Sequence, residues 1–292
     1  MQEFDEMKKN YEEIEIPAEL EFLVRKTIRD QERKMKTRSG VRRSMLSFAA
    51  ALLLFTGTVN ISPAAAQTFS EIPGMRNLVH LVLVKNWARS EPNFAADIKA
   101  PGVRGLGDPE LEDSLNKKYL EEGAALYREF ERQIGEMKKS GSGYLALFSD
   151  YEVIAETQDL LTIRRTYTSV KASGFERADF DTIDKKKKIV LTLPALFKDE
   201  SYIRLISENI KEQMRKRMES DQSAAYFFDA EEASSEKFES IKKNQSFYIN
   251  TEGALVIVFD EYEVAPGSMG LVEFVIPTPV IREALAGEEY IR

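Results

Sequence analysis

Hydrophobic and polar positions divide the chain unevenly. From Ser44 to Ser70 there is no charged residue, and the apolar stretch Met45–Ile61 within it is flanked by densely charged sequence. At ~1.5 Å per residue, a helix of that length reaches across a thinned hydrocarbon layer. Upstream, Leu20, Leu23, Val24 and Ile28 recur at helical spacing on an otherwise charged segment, and Pro17 suits the first turn of that helix. Downstream the period changes. Residues 90–109, rich in Pro, Gly and Asn, read as a connector or exposed loop. Leu111–Lys139 is helical and stops at Ser140-Gly141-Ser142-Gly143. Tyr144–Val170 reads as two strands around a turn near Gln158-Asp159. A strand at Ile189–Leu193, helices near Glu200–Glu219 and Glu231–Lys243, and strands at 246–250, 254–260 and 271–276 complete the pattern. The order predicts an α+β fold: an antiparallel sheet covered by helices on one face.

Charge gives this pattern a direction. Arg25–Arg43 holds nine Lys or Arg against two acids, Asp30 and Glu32. Basic flanks stay on the cytoplasmic side, so the N-terminus faces in and residues beyond about 66 face out. The C-terminal part of the uncharged run reads Ser62-Pro63-Ala64-Ala65-Ala66-Gln67, with small residues at −3 (Ala64) and −1 (Ala66) of a signal-peptidase cut before Gln67. A plain secretory signal has the same parts, but its basic region is normally a few residues, and this one is 43. The expected partition is therefore 1–43 cytoplasmic, 44–66 a single transmembrane helix with signal-peptide character, 67–110 a juxtamembrane connector and 111–292 an extracytoplasmic sensor domain. A 43-residue segment cannot bury the Leu20/Leu23/Val24/Ile28 stripe alone. Anionic lipid would attract its basic end, but lipid attraction does not require the stripe. A helix laid into the groove of a cytoplasmic protein does.

Composition closes off most chemistry. The chain carries net charge −8, and from Gln67 onward it has 30 basic and 39 acidic residues, a balance that argues against nucleic acid. There is no cysteine, which removes disulfides, thiolate zinc sites and thiol redox switches. His80, the single histidine, sits among Leu78–Val84 and reads as a packed residue. One histidine supports neither a Ser-His-Asp triad nor a histidine-based zinc hydrolase. Asp260, Glu261 and Glu263 lie on a strand and turn, where acids are ordinarily solvated. The lysine run 185–188 reads as a solvated hairpin tip rather than a polyanion site. With no phosphate-cradling glycine loop, the chain reads as a non-enzyme without cofactor or metal.

Three sets of residues resemble one family. Phe180-Asp181-Thr182-Ile183-Asp184 with Ile189–Phe197, then Phe247-Tyr248-Ile249 with Leu255–Phe259 and Tyr262-Glu263-Val264-Ala265-Pro266, are similar to the outer domain of RsiV-type anti-sigma factors. Tyr11 and Ile16–Leu20 are similar to that family's cytoplasmic start. The resemblance implies that the inner segment holds an extracytoplasmic-function sigma factor inactive. It implies that the outer domain binds lysozyme, exposing the signal-peptidase site, and that a site-2 protease then cuts the span. Thr56-Gly57-Thr58 and Asn60 weaken the outer half of the span, as such a cut requires. One position departs: Pro266 is followed by Gly267-Ser268-Met269-Gly270, whereas the family commonly has an aromatic after the proline. The ligand loop is expected at 262–270, with Tyr262, Pro266 and Ser268 as its residues. The other class of function is a secreted or anchored cell-wall-binding module with no sigma-factor partner.

Overall fold

The computed structural model describes residues 80–141, 143–227 and 237–292. The first described elements are a hairpin, β1 (His80–Glu91) and β2 (Phe94–Arg104). The expected connector at 90–109 is therefore largely strand. Phe94, Ala96, Ile98 and Ala100 are buried and alternate with Ala95, Asp97 and Lys99. Three alanines hid that period-2 pattern, because their side chains score weakly as core. Pro101 is tolerated because it stands opposite Leu83, beside the β-bulge between Leu83 and Lys85. Gly102 is needed there, since a Cβ would collide with Val84 and stand 3.3 Å from Val82.

Helix α1 (Pro109–Ser140) follows as the sequence predicts. The Asp108 carboxylate accepts from the Leu111 N–H at 2.9 Å, Pro109 and two acids occupy the first turn, and Lys138, Lys139 and a left-handed Gly141 close the end. Its buried face is Leu115, Tyr119, Gly123, Phe130 and Ile134. The long helix carries the chain back across the sheet, so β3 (Leu145–Glu156) joins β2 in parallel. β4 (Leu160–Val170), β5 (Gly174–Asp184) and the two-residue β6 (Ile189–Val190) continue antiparallel, giving a six-stranded sheet in the order β1-β2-β3-β4-β5-β6.

A second unit of structure begins at the 3-10 turn Leu193–Leu196, which takes the place of the rest of the expected 189–193 strand. Helix α2 (Ser201–Ser220) packs Tyr202, Ile206, Ile210 and Met214 onto a three-stranded sheet of β7 (Phe247–Ile249), β8 (Leu255–Phe259) and β9 (Val272–Ile276). All five residues of β8 are buried. At roughly 1.5–3 kcal/mol per fully buried large apolar side chain, this cluster is the main store of stability in the described residues. Of the helix expected at 231–243, residues 237–243 are irregular and the rest lie outside the described residues. Phe238 and Ile241 are buried there, but they cap the core from a loop.

The α+β class holds, with a different arrangement from the single antiparallel sheet expected. There are two sheets, one parallel pair, and one long helix on each sheet. Phe180 of β5 stacks on Tyr248 of β7 at 5.4 Å, and Tyr290 donates to the Asp184 carboxylate at 2.7 Å, tying the two sheets together. The lysine run is a tip whose members are engaged internally: Lys185 with Glu156 at 3.0 Å, Lys186 with Asp159 at 2.7 Å, Lys187 with Glu289, and Lys188 with the Leu106 carbonyl. His80 opens β1 half-buried, and burial lowers its pKa against the opposing pull of Glu156. Among the described residues no helix is long and apolar enough to cross a membrane. Segment 44–66 lies outside them.

Under the middle of α1 the packing turns ionic. Arg165 of β4 is buried, donates to Asp181 at 3.1 Å and to the Tyr167 hydroxyl at 2.6 Å, pairs with Glu122 of α1, and lies 4.6 Å from the Tyr119 ring centroid. Lys118 of α1 reaches the same Asp181 at 2.7 Å. Removing one member strands the others in low dielectric, whereas replacing the pair by apolar groups does not. Asp181→Ala is expected to lower unfolding stability by about 3–5 kcal/mol, and Arg165→Met with Asp181→Leu to recover most of it. Urea unfolding of the two variants beside the parent chain checks both.

Candidate ligand loop

Residues 260–271 join β8 to β9 and hold the predicted Tyr262, Pro266 and Ser268. The loop opens with a tight turn in which Glu263 N–H donates to the Asp260 carbonyl at 3.0 Å and Asp260 N–H to the Glu263 carboxylate at 3.0 Å. That turn puts Tyr262 at φ +67°, the left-handed region that a non-glycine residue enters at about 1 kcal/mol or more. Buried Val264 and Ala265 pin the middle, and the Val264 carbonyl accepts from Phe227 N–H at 2.8 Å. Glu263 is held by Lys242 at 2.7 Å and Gln245 at 3.3 Å.

Pro266 does not form a simple hairpin turn with Gly267. It starts a 3-10 turn, Gly267–Met269, closed by Met269 N–H on the Pro266 carbonyl at 2.9 Å. The ring of Tyr262 lies over Gly267, so close that a Cβ at 267 would collide with it. Tyr262 is 49% exposed and Ser268 is exposed, with Pro266 half-buried between them. The three predicted residues thus share one loop surface, with the Tyr262 ring over Gly267, the residue that follows the proline.

Two residues that sequence reasoning set aside prove to anchor the loop. Among the described residues, the outer edge of β5 has no strand partner at 174–181. There, the Asp260 carboxylate accepts from Ala178 N–H at 3.1 Å and the Glu261 carboxylate from Glu176 N–H at 2.6 Å, while Glu261 N–H returns a bond to the Glu176 carbonyl at 3.1 Å. Carboxylates stand in for the carbonyls of a missing strand. No one-dimensional signal marks this, because the partners are 82 and 85 residues away. Burial raises the pKa of Asp260 despite the Ala178 bond and Arg177, and the nearby Glu263 and Asp179 push the same way as burial. One residue before Glu176, exposed Phe175 lines a cleft of about 210 Å³ with Phe130, Leu147, Tyr167 and Ser169, which sequence reasoning also missed. Among the described residues, no group of three His, Asp or Glu is placed to hold a metal ion. The predicted cut site (Ala64, Ala66, Gln67) and inner stripe (Leu20, Leu23, Val24, Ile28) lie outside the described residues.

Fold and loop define a two-sheet α+β domain of a known kind: residues 194–278, spanning α2, the three-stranded sheet and the loop, match the family described as Protein of unknown function (DUF3298). Solved DUF3298 proteins share the fold. One from Bacteroides fragilis NCTC 9343 has a TM-score of 0.52 at 17% identity, covering 73% of this chain and 95% of its own. Another, from Pseudomonas aeruginosa PAO1, has a TM-score of 0.51 at 15% identity, covering 75% and 99%. The chain is also 43% identical over 287 residues to anti-sigma-V factor RsiV of Bacillus subtilis strain 168, covering 98% of each. It belongs to the RsiV family of anti-sigma factors.

The raised pKa of Asp260 has a stability consequence. The folded state holds that proton more tightly than the unfolded chain, so stability falls as pH rises through the window between the ordinary value, 3.8, and the folded one. Asp260→Asn keeps an acceptor for Ala178 N–H and loses the half-buried charge. Its thermal midpoint is expected to equal or exceed the parent's at pH 7, with the advantage gone below about pH 4.

Proposed function

We propose that this chain is a membrane-tethered anti-sigma factor of the extracytoplasmic-function class, released by ligand-triggered proteolysis. The observation that carries this reading is the extent of the likeness to anti-sigma-V factor RsiV. At 98% of both chains, it takes in the inner stripe, the uncharged run and the Ala64-Ala65-Ala66 motif together with the outer domain. Residues 1–43 hold the sigma factor at the cytoplasmic face, with Leu20, Leu23, Val24 and Ile28 as the apolar contact. Residues 44–66 cross the membrane once. Signal peptidase cuts between Ala66 and Gln67, and a site-2 protease then cuts the span and frees the sigma factor.

The trigger is a protein ligand, lysozyme, bound at the 262–270 loop. Three features support the loop. It presents an aromatic ring on a backbone anchored to β5 and pinned by buried Val264 and Ala265, Tyr262 is held in an uncommon conformation, and the chain from Gln67 onward carries 39 acidic against 30 basic residues, a balance that steers a basic partner. The reading requires no catalysis by this chain and no cofactor.

A tagged full-length chain in its own membrane is expected to stay intact until lysozyme is added, then shed a fragment beginning at Gln67. Ala66→Trp is expected to block both shedding and sigma-dependent transcription, since the −1 pocket of signal peptidase admits small side chains. Tyr262→Ala is expected to raise the lysozyme concentration needed for shedding by about tenfold, the ordinary loss for an exposed aromatic anchor at an interface. Constant shedding without lysozyme would favour the wall-binding module instead. If residues 1–43 used as bait retain no sigma factor from the organism's cytoplasm, the anti-sigma reading fails.

A further inference from the structure

β1 is the strand nearest the proposed cut, with thirteen residues, 67–79, between the cleaved bond and His80. It is the outermost strand of its sheet, and among the described residues its ladder runs to β2 alone, interrupted by the bulge at Leu83/Lys85. Leu83 and Val84 are exposed. Its N-terminal half touches the core through Leu81, and its C-terminal half is fastened to α1 by a short set of contacts. The six-membered ring of Trp87 sits against Gly123, where a Cβ would stand 2.7 Å from Cζ3 and 3.2 Å from Cη2. Arg89 donates to both oxygens of Glu131 at 2.6 and 2.7 Å, and Lys138 reaches Glu91 at 2.7 Å. A glycine in the middle of a helix is otherwise unfavourable relative to alanine, so this niche has a cost that the seated ring offsets.

We infer that Trp87 seated in the Gly123 niche is the latch that regulates the proposed cut. This rests on the reading of conditional proteolysis given above. While the ring is seated, β1 stays zipped to β2 and the bulk of the outer domain stays thirteen residues from the bond to be cut. When the ring leaves, up to twelve more residues are freed. At about 3.3 Å each, extended chain of that length lengthens the tether between the cleaved bond and the rest of the domain by up to roughly 40 Å, which a protease can engage. Ligand binding at the loop opens the latch by favouring the unzipped state, so both states exist before ligand arrives.

The test compares two glycines of α1. A Cβ at Gly123 strikes the Trp87 ring, whereas one at Gly135 has nothing within 4 Å. On helix propensity alone both substitutions stabilise α1. Gly123→Ala and Gly135→Ala are placed in the full-length chain in membranes and followed without lysozyme, by shedding, by the emission of Trp87 (the only tryptophan in the chain) and by hydrogen exchange. Gly123→Ala is expected to shift the emission to the red, to speed exchange at 80–91 but not at 255–259, and to raise ligand-free shedding about tenfold, the factor an ordinary lost contact gives a two-state equilibrium. Gly135→Ala is expected to change none of these. A red-shifted Gly123→Ala chain that still needs lysozyme for shedding overturns the latch, as does unchanged emission and exchange. Should Gly123→Ala also speed exchange at 255–259, Arg89→Gln decides: faster exchange at 80–91 with more shedding supports the latch, and unchanged values overturn it. A parent chain that lysozyme does not cleave sinks the proteolytic reading instead, and is told apart because emission and exchange report on β1 without any cut.

Discussion

The arrangement of the described domain depends on one buried guanidinium. Arg165 lies inside the α1–sheet interface, where an unpaired charge would cost several kcal/mol, so Asp181, Glu122 and the Tyr167 hydroxyl must all stand where they do. Apolar clusters on either side, Val103/Leu115/Ile163 and Phe94/Phe130/Leu145, tolerate small sliding of a helix along a sheet. A hydrogen-bonded ion cluster does not. It sets the register of α1 on β4 and β5, and α1 then returns the chain so that β3 pairs β2 in parallel and β1 is left at the edge.

From that placement follows a division of labour. The three-stranded sheet with α2 holds the larger apolar core and carries the exposed loop, while the six-stranded sheet carries β1, the first described strand. The joint between them is made of backbone N–H groups of β5 and the carboxylates of Asp260 and Glu261, reinforced by the Phe180–Tyr248 stack. The proposed ligand surface therefore connects to β5, and through the ladders of β4, β3 and β2 to β1. Each of those steps is a row of hydrogen bonds rather than a flexible tether.

Much of the fold was legible because its signals are local. The body of α1 and its end at Gly141 follow from helical periodicity and the Ser140-Gly141 stop, with the true start two residues before Leu111 at the Asp108-Pro109 cap, and β8 follows from five consecutive apolar residues between turns. β2 was missed for a local reason: with alanine at three positions, the strand period carries too little hydrophobic contrast beside Pro92, Pro101 and Gly102. In the irregular 237–243 segment Phe238 and Ile241 sit at helical spacing, yet both are held in a loop by the core they cover. Of the loop residues, Tyr262 was named but not its direction, which depends on a positive φ imposed by the turn around it. Asp260 and Glu261 were dismissed, since an acid in a turn shows its partner only once β5 is beside it.

The sequence by itself determined the uncharged run, its basic flank, the small-residue motif and the inner stripe, because each is a matter of composition and spacing within a few turns of chain. It also determined the α+β class and the ends of both long helices. Only the tertiary structure decided that α1 lies on an ion cluster, that β1 is an edge strand, that Trp87 seats on Gly123 and that Tyr262 covers Gly267. Those contacts join residues far apart in the chain, and whether a charge is solvated or paired, or a glycine is vacant or filled, depends on what the fold sets against it.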